Sequence, residues 1–386
     1  PSSYAPVINA PMSRSDPFTV VGNPANRRVT MFQAALAAQG LPPAHVISWV
    51  DLAVRGAPAK LLAEVRGILR IDSAGEDDAV ERAFLRRGEA AARAGGFAAI
   101  DPNALAATPI ELGQILCPRQ QHLGFTAVLD EIAAAIPAGV RILQPVSAIK
   151  ELFDKSATSA KWAAMGIPVP DALFGVRDPD DLRARMRATD WRSVFVKLTS
   201  GSSASCLAIF VHSEDREHVM TTVEDTGSAR YNTRKIQRLG ERRRIDRTLA
   251  FLLGEGAQVE RAIPKAKLAG RYFDLRVLTI DGVTAFVVAR TATHPITNLN
   301  LGGLRGDVTA LRDAVSSDAW DQAMASCIAV QRASGAFHVG VDLMFEPGLT
   351  RHRVIEGNAF GDLLPNLERD GLDVYGWQID RLRHDR

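Results

Sequence analysis

Three residues near the C-terminus have the types and spacing of a hard-cation site: Asp342 within GVDLMF, and Glu356 and Asn358 within VIEGN. Both runs read as strands, with Val339, Val341 and Leu343 alternating with Gly340, Asp342 and Met344. Glu346-Pro-Gly-Leu-Thr350 supplies turn residues between them. A hairpin centred near Leu349 sets Asp342 opposite Glu356, and the two-residue period puts Asp342, Glu356 and Asn358 on one face. Three oxygen donors on one wall suit Mg2+, which takes few protein ligands and shares the rest of its shell with phosphates. Taken alone, the same residues are equally a surface hairpin with an acidic face.

A second chemistry-bearing stretch is Lys197, which ends the apolar run SVFVK and precedes the small-residue loop Thr199-Ser-Gly-Ser-Ser-Ala-Ser205. An ammonium at the end of a buried strand is costly unless it meets an anion, and a loop of Gly and Ser lets backbone N–H groups approach phosphate oxygens. A strand-edge lysine before a flexible hairpin is the alternative. Lys155 opens DKSATSAKWAAMG, where a solvated surface lysine is the plain reading.

The elements that must position these residues begin with FTVVG, a short buried strand from Phe18 to Gly22. A helix with Val29, Phe32, Ala35 and Leu36 on one face and a strand HVISWV follow, the βαβ opening of a doubly wound parallel unit. No GxGxxG accompanies it, so a dinucleotide site has no basis there. GILRIDS predicts a further strand, with Ser73 and Glu76 spaced as a capping box for the helix DDAVERAFLRRG. Ala-rich helices run to about Gly139, and RILQPVSAI predicts a linker strand. Beyond Asp154 the pattern is a short helix stopped by Gly166, with Pro168 and Pro170 forcing an extended exit. SVFVKLTSGSSASCLAIFV is a strand-loop-strand, and a long helical zone is expected to about Leu253. AQVERAI is one more strand, and RYFDLRVLTI and VTAFVVAR form a hairpin about Asp281-Gly282. Eight basic residues between Arg230 and Arg247 read as a solvated helix face with Ile236, Leu239 and Ile245 inward, in preference to a clamp for an acidic peptide or RNA.

At 386 residues and 46% hydrophobic, the chain has length for two or three compact units. Lys+Arg 46 against Asp+Glu 44 leaves a net charge of +2, so no global field points to nucleic acid. No apolar run approaches the roughly 18 residues of a membrane span. The first 16 residues read as a loose terminus without a signal pattern. Three widely spaced cysteines without CxxC predict free thiols in a reducing cytoplasm, with Cys206 as small packing. His294 and His338 read as structural, and Tyr375 and Trp377 as core cover.

The succession Lys155, Lys197, Glu260, Asp274-Leu-Arg276, Thr297-Asn298, Asp342, Glu356, Asn358 resembles that of ATP-grasp ligases, in the branch of ribosomal-protein glutamate ligase and glutathione synthetase. The matching segments are DK…MGIPVP, VFVKLTSGSS, VERAI, FDLRVLTIDG, ITNLNLGG, VGVDL and VIEGN, covering about 150 to 365. RIDSAGED and CPRQQHLGF also resemble a bacterial ATP-grasp family whose substrate is open. The resemblance implies an α/β chain, α+β in its catalytic part. A Rossmann-like pre-ATP-grasp domain is expected over 17–145, a lid subdomain over 146–258 and a Mg-nucleotide subdomain over 259–386.

It also implies roles. Lys155 and Lys197 would hold the ATP phosphates, with Lys197 also near the adenine, and Ser202 and Ser203 would sit in a flap over the triphosphate. Glu260, Arg261 and Ala262 would line the adenine and hinge edge, and Asp274 would be a further nucleotide-side contact. Asp342, Glu356 and Asn358 would bind Mg2+, two ions bridged by Glu356, with Mn2+ as a substitute. Arg276 and Arg290 would face the γ-phosphate and the substrate carboxylate, with Asn298 and Asn300 at the acceptor side. A strict two-residue turn at Asp281-Gly282 puts the two arginines on opposite faces, so both reach the site only if a bulge intervenes. Pro264-Lys265 stand where relatives often carry a ribose-binding acid, and their role is left unassigned.

The implied reaction activates a small-molecule or peptide carboxylate as an acyl-phosphate and passes it to an amine, less often a thiol. Lys, Arg and Mg2+ must neutralise the approach of one anion to another. A catalytically weak ATP-binding scaffold and phosphoryl transfer without ligation are the competing functions, and a homodimer is compatible with the chain.

Overall fold

The computed structural model describes residues 16–75, 77–201, 205–213, 216–361 and 364–384. The N-terminal unit is built from β1 (Phe18–Val21), α1 (Arg27–Ala38), β2 (His45–Ile47), α2 (Pro58–Leu62), β3 (Ile68–Ile71), α3 (Asp78–Ala94), α4 (Pro102–Ala107), α5 (Pro118–Ala135) and β4 (Arg141–Ile142). Its strands form a parallel sheet in the order β2-β1-β3-β4. As their spacing predicts, Val29, Phe32, Ala35 and Leu36 of α1 are buried, and Asn26 caps the helix by accepting from the Arg28 N–H. Two expectations change here. The cap of α3 is Asp77, whose carboxylate accepts from the Val80 N–H at 3.1 Å, not Ser73; Glu76 lies outside the described residues. The stretch RILQPVSAI is not a linker strand: Arg141–Ile142 is the fourth sheet strand, and Pro145 stands in extended backbone as the N-cap of α6 (Val146–Phe153), where its missing N–H costs no helical hydrogen bond.

α3 and α5 cross at backbone contact. A Cβ on Gly88 would lie 1.9 Å from the Gln120 carbonyl oxygen, and one on Gly124 would lie 1.8 Å from that of Phe84. The two glycines thus set this interhelical distance.

α7 (Lys155–Ala164) leads into a six-stranded antiparallel sheet. It contains β5 (Ala172–Leu173), β6 (Ser193–Leu198), β7 (Leu207–His212), β8 (Glu217–Asp225), β9 (Arg230–Leu239) and β10 (Ala257–Arg261), in the order β5-β10-β6-β7-β8-β9. α8 (Pro179–Ala188) and α9 (Arg242–Gly254) cover one face. The expected helical zone before Leu253 is therefore mostly sheet. Val219, Thr221 and Val223 alternate in β8, and Thr226-Gly227-Ser228 turns the chain into β9; that period and turn outweigh the helix-forming charged residues. The basic segment splits accordingly between edge strand β9 and helix α9, with Leu239 and Ile245 in the core and Ile236 half-buried.

The third sheet runs β14-β13-β12-β15-β16, with β11 (Lys267–Leu268) paired to β12. Its strands are β12 (Arg271–Ile280), β13 (Val283–Ala292), β14 (Leu304–Gly306), β15 (His338–Phe345) and β16 (His352–Asn358). α10 (Val308–Ala314) and α11 (Ser317–Ser334) precede β15, which is buried throughout, and α12 (Val374–Arg383) packs against the N-terminal unit through Tyr375. One apolar core joins N-terminal residues such as Trp49, Phe84 and Phe125 to Phe273, Val341 and Phe345 of this sheet. The middle sheet keeps a core of its own, including Val196, Phe210, Leu249 and Val259.

Candidate active site

β15 and β16 pair with Asp342 opposite Glu356 and Gly340 opposite Asn358, the register expected from the sequence. Leu343 faces Val354, so Ile355 is an extra residue beside the acidic pair. The Asn358 amide N–H donates to the Gly340 carbonyl at 3.0 Å, which leaves the amide oxygen as a donor for a cation. A Cβ on Gly340 would meet the Gly361 backbone at 3.2 Å, so this wall is tightly backed. The Lys155 ammonium lies 3.7 Å from Glu356 Oε2 and donates to the Gly201 carbonyl. Two carboxylates and an amide oxygen on one strand pair fit Mg2+ by donor hardness.

Phe195 and Lys197 of β6 look into the same cavity. The Lys197 ammonium sits 2.5 Å from Glu260 Oε1, and Glu260 is buried on neighbouring β10. Leu207, Ile209 and Ile296 form an apolar cluster there with Phe195 and Met220. Ala262 lines the cavity and its N–H donates to the Ser193 carbonyl at 3.0 Å. Arg261 does not take its expected place. Its side chain is exposed, 3.8 Å from Asp171, because alternation on β10 turns it away from Glu260. Ser202 and Ser203 lie outside the described residues.

The hairpin of β12 and β13 carries the bulge that the two arginines require. Leu278 pairs with Phe286 but Thr279 with Thr284, so Arg276 and Arg290 come to one face. Both reach Asp342: Arg276 Nε donates to Oδ1, and Arg290 Nη2 lies 3.1 Å from Oδ2. Arg290 Nε also donates to Asp274 Oδ1 at 2.7 Å. Asp274 Oδ2 accepts from Lys265 Nζ at 3.1 Å and from the Thr297 hydroxyl. Burial would raise the Asp274 carboxyl, but Lys265 and Arg290 overcome it and hold the group well below the usual carboxylate range. Burial likewise opposes the Arg290 charge, and Asp342 and Asp274 more than restore it. Asp274 lines the cavity with both carboxylate oxygens taken by protein donors. Asn298 and the exposed Asn300 line the cavity on the loop beyond Thr297.

The remaining wall comes from the N-terminal unit, which sequence reasoning left without site residues. Arg28, Ser73, Gly75, Glu81, Gln121 and His122 line it, beside Phe125, Phe153 and Phe360. Strand order reverses between β1 and β3, and Asn23 and Ala74, just beyond their C-terminal ends, are joined by a 2.7 Å hydrogen bond. Ligands of open α/β sheets sit at such switch points, and that rule applied to Ser73-Ala-Gly75 was the available signal. Residues 113–115 bridge this unit to the middle sheet: Gln114 pairs with Tyr231, and the Ile115 N–H donates to the Arg230 carbonyl at 2.7 Å. The His122 ring stacks on Phe153, and burial with the neighbouring Arg119 lowers its pKa to about 4. Cys206 is buried and its thiol is pushed up to about 12, as expected of a packing residue. His338 is buried against Gln144, and Tyr375 and Trp377 are core.

Together these walls enclose about 1240 Å³. No protein-family model and no curated protein sequence matches this chain. Solved structures do resemble it. The ATP-grasp ligase PsnB, complexed with a phosphomimetic variant of its minimal precursor, Mg and ADP, superposes with a TM-score of 0.52 at 16% identity, over 95% of this chain and 98% of that one. The D-cycloserine synthetase DcsG gives 0.53 at 16% identity, over 95% and 99%. The macrocyclase MdnC of Microcystis aeruginosa, bound to precursor peptide MdnA, gives 0.53 at 11% identity, over 95% and 98%. No helix among the described residues is long and apolar enough to cross a membrane. At these identities the likeness is one of architecture, and that architecture, over nearly the whole chain, is the ATP-grasp fold.

Proposed function

We propose that this chain is an ATP- and Mg2+-dependent ligase that joins a carboxylate to an amine through an acyl-phosphate. The observation that carries this is the convergence of Asp342, Glu356, Asn358 and Lys155 on one wall with Lys197 and Glu260 on the other. Magnesium, held by Asp342, Glu356 and Asn358, would neutralise phosphate charge. The protein residues do the rest. Lys155 and Lys197 hold the phosphate tail, Glu260 and Ala262 border the base, and Arg276 stands where two anions must approach. The substrate carboxylate oxygen attacks the γ-phosphorus as the bond to ADP breaks. The amine nitrogen then attacks the acyl carbon, the C–O bond breaks, phosphate leaves and the nitrogen loses its proton. Aligned reactants account for roughly 7–11 kcal/mol of barrier reduction in such steps.

A single ligand pocket spans roughly 300–1,000 Å³. At about 1240 Å³, with an aromatic N-terminal wall, this cavity has room for a second substrate beside the nucleotide. Two of the structural neighbours, PsnB and MdnC, are complexed with precursor peptides. We therefore extend the proposal to an amino acid or peptide acceptor. The test is ADP release by the purified protein across a panel of amino acids and peptides, in wild type and Glu356→Gln. Substrate-dependent release lost in the variant supports the ligase. Nucleotide binding without turnover on any acceptor supports a scaffold, and a phosphorylated product without an amide supports phosphoryl transfer.

A further inference from the structure

A run of buried charges leads from the cavity loop to the proposed cation wall. Thr297, Asp274, Arg290 and Asp342 are 2%, 7%, 6% and 9% exposed. The Thr297 hydroxyl donates to Asp274 Oδ2 and accepts from Lys265 Nζ at 2.8 Å. Asp274 Oδ1 then takes Arg290 Nε at 2.7 Å, and the far end of that guanidinium reaches Asp342 Oδ2 at 3.1 Å. The loop beyond Thr297 is a closed unit. Asn298 accepts from the Asn300 N–H at 2.8 Å, and the Gly303 N–H returns to the Asn298 carbonyl at 3.2 Å. Leu299 and Asn300 are exposed, and the loop is seated by the buried Thr297 together with Ile296 and Leu301, which pack on Leu207 and Ile209.

We propose that Thr297 and Lys265 are positioning residues for the metal site: seating of the Thr297 loop sets how Arg290 is shared between Asp274 and Asp342, and so how available Asp342 is to a cation. This rests on the reading of Asp342, Glu356 and Asn358 as the cation site. The physical reason is competition. The single charge of Arg290 is divided between two carboxylates, and a divalent cation at Asp342 must displace part of the hold that Arg290 shares there with Arg276. With Thr297 and Lys265 satisfying one Asp274 oxygen, the other stays aimed at Arg290 and draws it from Asp342. An unseated loop frees Lys265 and rotates Asp274, and Arg290 falls back on Asp342. Leu299 and Asn300 of this loop line the cavity, so an acceptor lying against them would bear on the cation site through Thr297.

The test uses the full chain and a non-hydrolysable ATP analogue, titrated with Mg2+ by calorimetry, in wild type, Thr297→Val, Thr297→Ser, Lys265→Met and Glu356→Gln. Thr297→Val and Lys265→Met should raise the half-saturating Mg2+ concentration about fivefold or more, with metal-free analogue binding unchanged. Thr297→Ser should restore the wild-type value. Coupling is reciprocal, so Mg2+ with the analogue should slow amide exchange over 298–301 in wild type and Thr297→Ser but not in Thr297→Val. Wild-type Mg2+ dependence in both Thr297→Val and Lys265→Met overturns the inference. So does an equal loss of metal-free and metal-dependent binding, which marks a purely structural role. If Glu356→Gln also binds Mg2+ as wild type does, the cation site itself has been misplaced.

Discussion

Replacing Arg290 by methionine removes one guanidinium from between two buried carboxylates while keeping most of its volume. Arg290 is 6% exposed, and its partners Asp274 and Asp342 are 7% and 9% exposed. Removing one partner of a buried pair costs about 3–5 kcal/mol, chiefly from the charge left uncompensated. Each acid here keeps another donor: Lys265 and Thr297 on Asp274, and Arg276 on Asp342. The expected loss is therefore at the lower end, about 3 kcal/mol. Urea unfolding read by tryptophan fluorescence reports on the right sheet, because Trp320 stacks on Phe345 at 6.5 Å between centroids. Asp274→Asn in the same chain removes one of the two acids that Arg290 serves. The double variant should be more stable than the sum of the single losses predicts, by about 1–3 kcal/mol. An Arg290→Met loss below about 0.5 kcal/mol, or a strictly additive cycle, refutes the reasoning and makes Arg290 a solvated ligand-facing group.

Lys197→Met should weaken ATP-analogue binding about tenfold or more, the worth of a charge-assisted contact, and unchanged affinity in calorimetry would remove Lys197 from the nucleotide site. Gly88→Ala should lower the melting temperature by several degrees, since its Cβ would stand 1.9 Å from the Gln120 carbonyl, whereas Gly240→Ala, with open space around it, should not; equal effects would contradict the close α3–α5 crossing. His122 and His338 have folded pKa values below the ordinary 6.5, to about 4 for His122, through burial above all. The unfolded chain then binds more protons in this range, so stability is full above pH 6.5 and falls as pH drops through about 4. His122→Phe, which preserves stacking on Phe153, should flatten that limb, and an unaltered slope between pH 6.5 and 4 in denaturant melts would count against the buried neutral imidazole.

The legible parts of this protein are those with short-range signatures. The pairing of Asp342 with Glu356 was expected from period 2 and a turn near Leu349, and the structure reaches it by way of the extra residue Ile355, since the turn-side register pairs Leu343 with Val354. The Arg276–Arg290 pair was legible only as a condition. Nothing local marks a one-residue bulge, and the need for both guanidinia to reach Asp342 becomes visible once β12, β13 and β15 lie side by side. β8 and β9 were misread because charged residues with good helix propensity concealed an alternation that only sheet neighbours reward.

Sequence by itself determined which residues offer oxygen donors and cationic groups, and in what order along the chain. Tertiary structure decided their ranks: Arg261 turns outward, Asp274 becomes a buried bracket for Arg290, and an N-terminal wall with Arg28, Glu81 and His122 joins the cavity. The reason is one of range. Strand period and turn chemistry act over a few residues, whereas the desolvation that makes a charge seek its partner depends on elements up to hundreds of residues away.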